Sequence, residues 1–255
     1  MATGSEGGKD THLYGTPTSV SHHSIRNTRL PSASSNESLP NWAGYIAIDG
    51  GYQEAFGFWN VPCLTLLLKT GYSNSWIGLG GDLLDGGGNL VQAESESDEY
   101  RDGFFGRFLP QYYAWYEDYP NQGVEQRLFD VLCGDQMYAD IYQYSSPAHM
   151  VVEDTTSGAY SDKTNTNLSN DSTAEWIVER PGTNNTLPGL ADFNYVAFQG
   201  CKAAQNGAYV SLINLPHNYS DMSGNDGATV LATSGVLSVG SNGTNFNVNW
   251  RNYGP

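Results

Sequence analysis

The stretch that decides the fold is Ala174-Glu175-Trp176-Ile177-Val178-Glu179, a run rich in β-branched and aromatic residues that Arg180-Pro181-Gly182 brings to an end. Alternation with a period of two, as in a β-strand, places its first, third and fifth residues on one face, which is suited to a hydrophobic core. Glu175, Ile177 and Glu179 share the other face, where the two carboxylates lie about 13 to 14 Å apart. That second face is suited either to solvent, as two hydrated glutamates, or to acid-base chemistry on a molecule lying across the sheet.

The composition of the chain indicates an all-β protein. Its 255 residues include 30 Gly, 17 Tyr and 6 Trp, and the chain lacks the long Ala, Leu, Glu and Lys runs that are typical of helices. A chain of this length forms one large sandwich or barrel, or two small domains, and this composition favours the former.

The charge balance excludes two classes of partner. The chain has 11 Lys and Arg against 27 Asp and Glu, which gives a formal net charge of -16. Nucleic acids and anionic membranes would repel so acidic a protein, so we expect neither as a partner. Because few cations remain to repel one another once the carboxylates are protonated, the fold should also tolerate acid, which suggests an acidic working medium.

The cysteines and the apolar segments limit the other options. Cys63, Cys133 and Cys201 allow at most one internal disulfide. No CxxC pair and no Cys/His spacing suggests a metal site, so we expect no metal or other cofactor and structural roles for the cysteines. No apolar run is long enough for a membrane span or resembles a signal peptide, so the protein is either cytosolic or its targeting segment is not part of this sequence.

We expect two regions along the chain. Residues 1–38 have little apolar content and no periodicity, which predicts a disordered leader or the remnant of a pro-segment, and residues 39–255 form the folded domain. Neither an internal repeat nor a convincing helix is found. Period-two patterns and turn residues predict strands at Asn41–Ala47, Ala55–Pro62, Ser73–Leu79, Asn89–Glu94, Gln111–Pro120, 128–132, 137–144, 150–153, Ala174–Glu179, Phe193–Phe198, Tyr209–Ile213 and Phe246–Trp250.

Several short blocks follow one another in a recognisable order. The blocks are Asn41-Trp42-Ala43-Gly44-Tyr45, Trp59-Asn60-Val61-Pro62, Ser75-Trp76-Ile77-Gly78, Val91-Gln92, Tyr113-Ala114-Trp115-Tyr116-Glu117-Asp118-Tyr119-Pro120, Ala174-Glu175-Trp176-Ile177-Val178-Glu179 and Ala191-Asp192-Phe193. In this order and with these separations, the chain resembles the glutamic peptidase (eqolisin) family from about Asn41 to about Trp250. Each block alone is a weak signal, and their combination is specific.

The resemblance implies an antiparallel β-sandwich of two curved sheets, of the concanavalin or jelly-roll type, with a peptide-binding groove on one concave face. It also implies secretion as a precursor and endopeptidase activity at acidic pH by a glutamine and glutamate pair. Carried over by position, Gln92 and Glu179 are the catalytic residues, and Trp76, Trp115 and Glu117 match residues of the groove around them. We expect a monomer that acts on a protein or peptide substrate.

The sequence departs from the family pattern at two positions. Gly80 and Tyr113 stand where the pattern has aspartates. Asp82 would lie on the same face two residues beyond Gly80 and could substitute in part, so we include Asp82 and Tyr113 among the residues expected to line the groove. With fewer neighbouring carboxylates there is less like-charge repulsion, so the pH optimum can differ from that of the fungal enzymes.

The residue types suit metal-free peptide hydrolysis. An ionised Glu179 would take a proton from water and later deliver it to the leaving amine, and the amide of Gln92 would stabilise the oxyanion at any pH because it does not titrate. Trp76, Trp115 and Tyr119 would form an aromatic floor. Without the resemblance, Gln92 would be an ordinary polar residue, and Glu117 is equally well explained as a carboxylate paired with a nearby tyrosine.

Trp76 and Trp115 could belong to the core, although a face that they share with the ionisable Glu117 is unlikely to be the dry interior.

Two competing interpretations of the function remain at this point. A jelly-roll glycoside hydrolase would have two carboxylates about 5 to 10 Å apart beside a sugar groove and would not need Gln92. A non-catalytic carbohydrate-binding module would use Trp76, Trp115 and Tyr119 to stack on sugars.

Overall fold

The computed structural model describes residues 36–81, 89–103, 106–119, 126–144, 147–165, 172–182 and 187–254. Within these ranges the chain is built from strands, with one short 3-10 helix at Leu212–Asn214. The strands are β1 Asn36–Leu39, β2 Trp42–Ala47, β3 Tyr52–Asn60, β4 Gly71–Tyr72, β5 Asn74–Gly80, β6 Leu90–Arg101, β7 Phe108–Tyr119, β8 Gln126–Asp130, β9 Gln136–Tyr142, β10 Ala148–Asp154, β11 Ala159–Asn165, β12 Ala174–Glu179, β13 Gly189–Leu190, β14 Tyr195–Gln205, β15 Ala208–Ser211, β16 His217–Ser223, β17 Val230–Ser234, β18 Ser238–Gly240 and β19 Gly243–Trp250.

The strands form two layers of a β-sandwich. The first layer runs in the order β1-β16-β2-β12-β5-β6-β7-β8, and the second runs β11-β10-β9-β3-β14-β19. Strand β17 pairs with both β16 and β19, so hydrogen bonds join the two layers along one edge. The described pairings are antiparallel except for β1 with β16 and β4 with β13. The predicted all-β sandwich is therefore confirmed.

The main hydrophobic core lies between the two layers. From β12 it contains Ala174, Trp176 and Val178, each completely buried, as the alternation predicts. The indole N–H of Trp176 donates to the carbonyl of Phe56 on β3, 3.1 Å away, and that of Trp59 on β3 donates to Ser95 on β6 at 2.8 Å. Because buried indole N–H groups need acceptors, these bonds fix how the layers pack together.

The longest element is the hairpin of β6 and β7, which holds much of the first layer together. Its twelve-residue strands pair from Leu90 opposite Tyr119 to Arg101 opposite Phe108. The sequence pattern predicts β6 to end at Glu94, but the strand continues to Arg101. The prediction stopped early because Glu, Ser and Asp have low strand propensity, which cross-strand pairing with β7 overrides. As a result, a row of acidic side chains extends along β6.

The expected start of the folded domain and the cysteines can be compared with the structure. The folded domain was expected from residue 39, and β1 already begins at Asn36. Residues 1–35 of the expected leader lie outside the described residues. The cysteines form one disulfide, between Cys63 and Cys133, and Cys201 is free and buried. No helix in the described ranges is long and apolar enough to cross a membrane.

Candidate active site

The outer face of the first layer, which we call the site face, carries the predicted catalytic residues. Residues directly opposite each other in antiparallel strands point to the same side of a sheet. Gln92 on β6 is opposite Gly78 on β5, and Gly78 is opposite Glu175 on β12. Glu179 lies four residues further along β12, so it points to the same side as Glu175. The register therefore places Gln92 and Glu179 on one face.

The Glu179 carboxylate is held by two neutral donors. The indole N–H of Trp76 donates to Oε2 at 2.9 Å, and the side-chain amide of Asn41 donates to Oε1 at 3.3 Å. Glu179 is only 5% exposed, and Asn41 is 8% exposed. A carboxylate oxygen has more than one lone pair, so each oxygen can accept a further hydrogen bond while its orientation stays fixed.

The Trp76 ring connects Glu179 to the row of Gln92. One end of the indole donates to Glu179, and its Cζ3 lies 3.0 Å from the point where a Cβ on Gly78 would stand. Cδ1 of Leu90 lies 3.1 Å from the same point. A Cβ at position 78 would press against Trp76 and Leu90, so glycine lets the Trp76 ring pack close to the backbone opposite Gln92. Trp76 therefore spans from Glu179 toward the row of Gln92.

The side chain of Gln92 is oriented by Glu117 on the neighbouring strand β7. Its Nε2 donates to Oε2 of Glu117 on β7 at 2.9 Å, and the two residues are directly paired across the hairpin. Both are buried, and Oε1 of Gln92 has no partner among the described residues. An amide nitrogen carries two hydrogens, so Nε2 can donate a second hydrogen bond besides the one to Glu117.

Buried carboxylates line the rest of the site face, and neutral N–H groups hold them too. Asn74 donates to Glu94 at 2.7 Å, and the indole of Trp115 donates to Glu96 at 3.1 Å. Asp98 continues the same side of β6 and is 5% exposed. Among the described residues, no group of three or more His, Cys, Asp or Glu side chains is arranged to hold a metal ion.

Four other residues were predicted to line the groove. Trp115 is fully buried but lies on the site face, since it pairs with Glu94, so it is not part of the main core. Tyr113 is 3% exposed, and the guanidinium of Arg127 lies 4.4 Å from its ring centre. Tyr119 packs at one end of this face. Asp82 falls outside the described residues.

A second apolar cluster covers the end of the site face near Tyr119. Trp76 and Trp42 pack edge to face at 5.1 Å. The cluster consists of Ile46, Trp76, Leu90 and Ile177, with Trp42, Ile48 and Tyr119 packed against it. It is separate from the main core and adjoins the carboxylates. The site face therefore has an apolar end and an acidic end, with Gln92 between them.

The sequence reasoning did not identify several residues of this face. The period-two series of Glu94, Glu96 and Asp98 after Gln92 was a visible signal, because the alternation simply continues past the predicted end of the strand. Asn41 and Asn74 gave no such signal. Their role follows from cross-strand neighbours that are remote in sequence, 138 residues away for Asn41 and Glu179.

Comparison with known proteins identifies relatives of this chain. Residues 40–248 match the model of the Peptidase A4 family. Aspergillopepsin-2 of Aspergillus niger is 26% identical over 206 residues, which cover 71% of this chain and 70% of that protein.

Solved structures show the same fold. A crystal structure of scytalido-glutamic peptidase with a peptide-based transition state analogue superimposes with a TM-score of 0.64 at 23% identity, over 83% of this chain and 98% of that one. Aspergilloglutamic peptidase from Aspergillus niger gives a TM-score of 0.57 at 25% identity, over 71% of this chain and 99% of that one. The glycoside hydrolase and carbohydrate-binding interpretations are not favoured by these matches. The chain belongs to the Peptidase A4 (eqolisin) family and is a glutamic peptidase.

Proposed function

We propose that the protein is an acid-acting endopeptidase in which Glu179 activates water and Gln92 stabilises the oxyanion. The observation that carries the proposal is the shared face: Gln92 and Glu179 point to the same side of the first layer, and the Trp76 ring lies between them. In the register, Gln92 lies opposite Gly78 and Glu179 lies opposite Asn74, four residues away along β5, so the proposal requires the two side chains to reach toward one bound peptide from opposite ends of the Trp76 ring.

The proposed reaction needs only these groups. Glu179 takes a proton from water as the water oxygen bonds to the carbonyl carbon, and the carbonyl oxygen becomes an oxyanion. The second hydrogen of the Gln92 amide, the one not donated to Glu117, stabilises that oxyanion. Glu179 then gives the proton to the nitrogen of the leaving amine, the carbon–nitrogen bond breaks, and the acid and amine products form.

Glu175 is the other carboxylate of β12 on this face, and the register brings it nearer to Gln92. It stands directly across Gly78, about two strand spacings or 10 Å from Gln92 at the backbone. We assign the base to Glu179 because it is the glutamate that matches the family pattern by position, and Asn41 and Trp76 orient its two oxygens. Glu175 provides a matched control, being the same residue type on the same strand and face.

The setting that we propose is an acidic medium outside the cell. Few cations stand against the carboxylates, with 11 Lys and Arg in the chain, so protonation in acid leaves little repulsion. The Cys63–Cys133 disulfide is typical of proteins that fold in an oxidising compartment. The donors that hold the site carboxylates are indoles and amides, which do not titrate in acid.

The test compares Glu179→Gln, Glu175→Gln and Gln92→Ala in hydrolysis of a denatured protein at acidic pH, with pepstatin and EDTA present. We expect Glu179→Gln and Gln92→Ala to lose roughly a hundredfold or more in kcat, since each removes an acid-base or oxyanion group, while Glu175→Gln keeps most activity. Far-UV circular dichroism and thermal unfolding check that each variant is folded. Full activity of Glu179→Gln together with an inactive Glu175→Gln would transfer the role of base to Glu175.

A further inference from the structure

Arg180, which the sequence pattern treats only as the end of a strand, is a completely buried cation. It follows Glu179 at the end of β12. Its Nη2 donates to the carbonyl of Pro40 and to Oδ1 of Asn225, both at 2.9 Å. Both acceptors are neutral, so neither balances the charge of the guanidinium.

The remaining donors of Arg180 are unsatisfied. Nε and Nη1 are buried and have no hydrogen-bond partner within the described ranges. Burial lowers the pKa of Arg180 to about 10, which leaves the side chain charged in acidic and neutral solution. A buried charge with unpaired N–H groups is costly, and such groups normally have a bound ion or water as partner.

Gly254 and Leu231 lie close to Nη1. A Cβ added to Gly254 would stand 3.2 Å from Nη1 and 3.5 Å from both methyl groups of Leu231, and these are its nearest neighbours outside the adjacent residues. Gly254 has a φ of +90°, a conformation that favours glycine, so the backbone turns here without a side chain. A glycine backbone and two apolar methyl groups thus lie close to Nη1, and the Leu231 side chain offers it no acceptor.

We propose that Arg180 binds a small monovalent anion, a halide, at its unpaired Nε and Nη1. An anion balances the buried guanidinium and accepts the N–H groups that Pro40 and Asn225 leave unpaired. The nearby Leu231 methyl groups offer no donors to the several oxygens of a sulfate or phosphate, so a single spherical anion suits this apolar setting better.

The position of this site links it to the site face. The backbone N–H of Arg180 donates to the carbonyl of Asn41 at 2.8 Å, and the Asn41 side chain donates to Glu179. Arg180 also holds Pro40, the residue before Asn41. An anion that steadies Arg180 would therefore stabilise the segment that orients Glu179. The binding itself does not depend on the proposed catalytic roles, because it is measured without substrate.

The test is thermal unfolding of the full chain in sodium chloride and sodium bromide, compared with sodium gluconate at equal ionic strength. We expect a saturable rise of the unfolding midpoint with halide, roughly 5 to 10 °C at a hundredfold excess over Kd. Arg180→Met should abolish the rise. The matched control is Arg127→Met, which removes an arginine that is 39% exposed and should leave the halide response unchanged.

Crystals of the unaltered protein grown in bromide decide the matter independently if Arg180→Met does not fold. An anomalous bromide peak in contact with Nη1 supports the proposal. Water, or a carboxylate of the chain itself, in contact with Nη1 would overturn it. So would an unfolding midpoint that does not respond to halide, or an equal response in folded Arg180→Met.

Discussion

Carboxylates are buried on both outer faces of this sandwich, and the two faces hold them with different donors. On the site face, Glu94, Glu96 and Glu179 accept hydrogen bonds from indole and amide N–H groups. We call the outer face of β3 and β9 the far face; there, Glu54 and Asp140 accept from tyrosine hydroxyls instead.

On the far face, tyrosine hydroxyls are the donors to the carboxylates. Tyr144 and Tyr209 both donate to Oε2 of Glu54, the latter at 3.0 Å, and Tyr138 donates to Asp140 at 3.3 Å. Burial, together with the nearby charge of Glu54, raises the pKa of Asp140 to about 7. Asp140 is therefore protonated in acid, where this carboxyl group is neutral and its burial carries no charge penalty.

The two faces suit an acidic medium for different reasons. The site face keeps its carboxylates oriented by groups that do not titrate, so its geometry should persist as the pH falls. The far face contributes stability in acid because at least one of its carboxyl groups is neutral there. Each of the following predictions tests one side of this difference.

The largest expected effect concerns Asp140 and the pH dependence of stability. Its pKa is about 7 in the folded protein and near 3.8 when unfolded, so the folded state binds the proton more tightly. The stability that this group contributes is fully present below about pH 4 and is lost as the pH rises toward 7. Asp140→Asn should remove roughly 3 to 4 kcal/mol of the decline in unfolding free energy between about pH 4 and pH 8. Urea unfolding across this range measures it.

Asp226→Asn is the matched control for that experiment. Asp226 is exposed, and its hydrogen bonds with Thr229 lower its pKa to about 2. In the folded state it is charged throughout the range, and in the unfolded state it is charged above about pH 5, so its replacement should leave the pH slope nearly unchanged from about pH 5 to pH 8. An identical slope in the unaltered protein and in Asp140→Asn would contradict the assignment of Asp140.

The next effect concerns the positioning of Gln92 by Glu117. Glu117→Leu removes the acceptor that orients the amide, and we expect kcat to fall by up to about a hundredfold with little change in KM, because the oxyanion donor loses its position. Glu117→Gln keeps an oxygen acceptor and should recover most of the rate. Steady-state kinetics on a peptide substrate at acidic pH separates kcat from KM. Equal rates for the two variants would show that Glu117 does not act through the amide.

The smallest effect belongs to the far face. Tyr209→Phe removes one of the two hydroxyls that donate to Glu54 and leaves that of Tyr144. We expect a loss of about 1 kcal/mol in the unfolding free energy, the usual contribution of one hydrogen bond, and no change in kcat. Chemical unfolding and the peptidase assay together measure both. A marked fall in kcat would mean that the far face is coupled to the site face.

Much of the fold was accessible from the sequence because strand alternation is a local property. The division of β12 into Trp176 on the core side and Glu179 on the other follows from a period of two, and the structure has the same division. The order of the short blocks was sufficient to identify the family, which the matched family model confirms. The roles of Gln92 and Glu179 remain proposals that rest on their common face.

The sequence by itself determined which side chains each strand turns to each of its faces. Only the tertiary structure decided which strands are neighbours, and hence that Asn41 and Trp76 hold Glu179, that Cys63 pairs with Cys133, and that Arg180 is buried without a counter-charge among the described residues. The physical reason is distance along the chain. Alternation is set between adjacent residues, whereas register, pairing and burial depend on contacts between remote segments, such as Pro40 and Arg180, which are 140 residues apart.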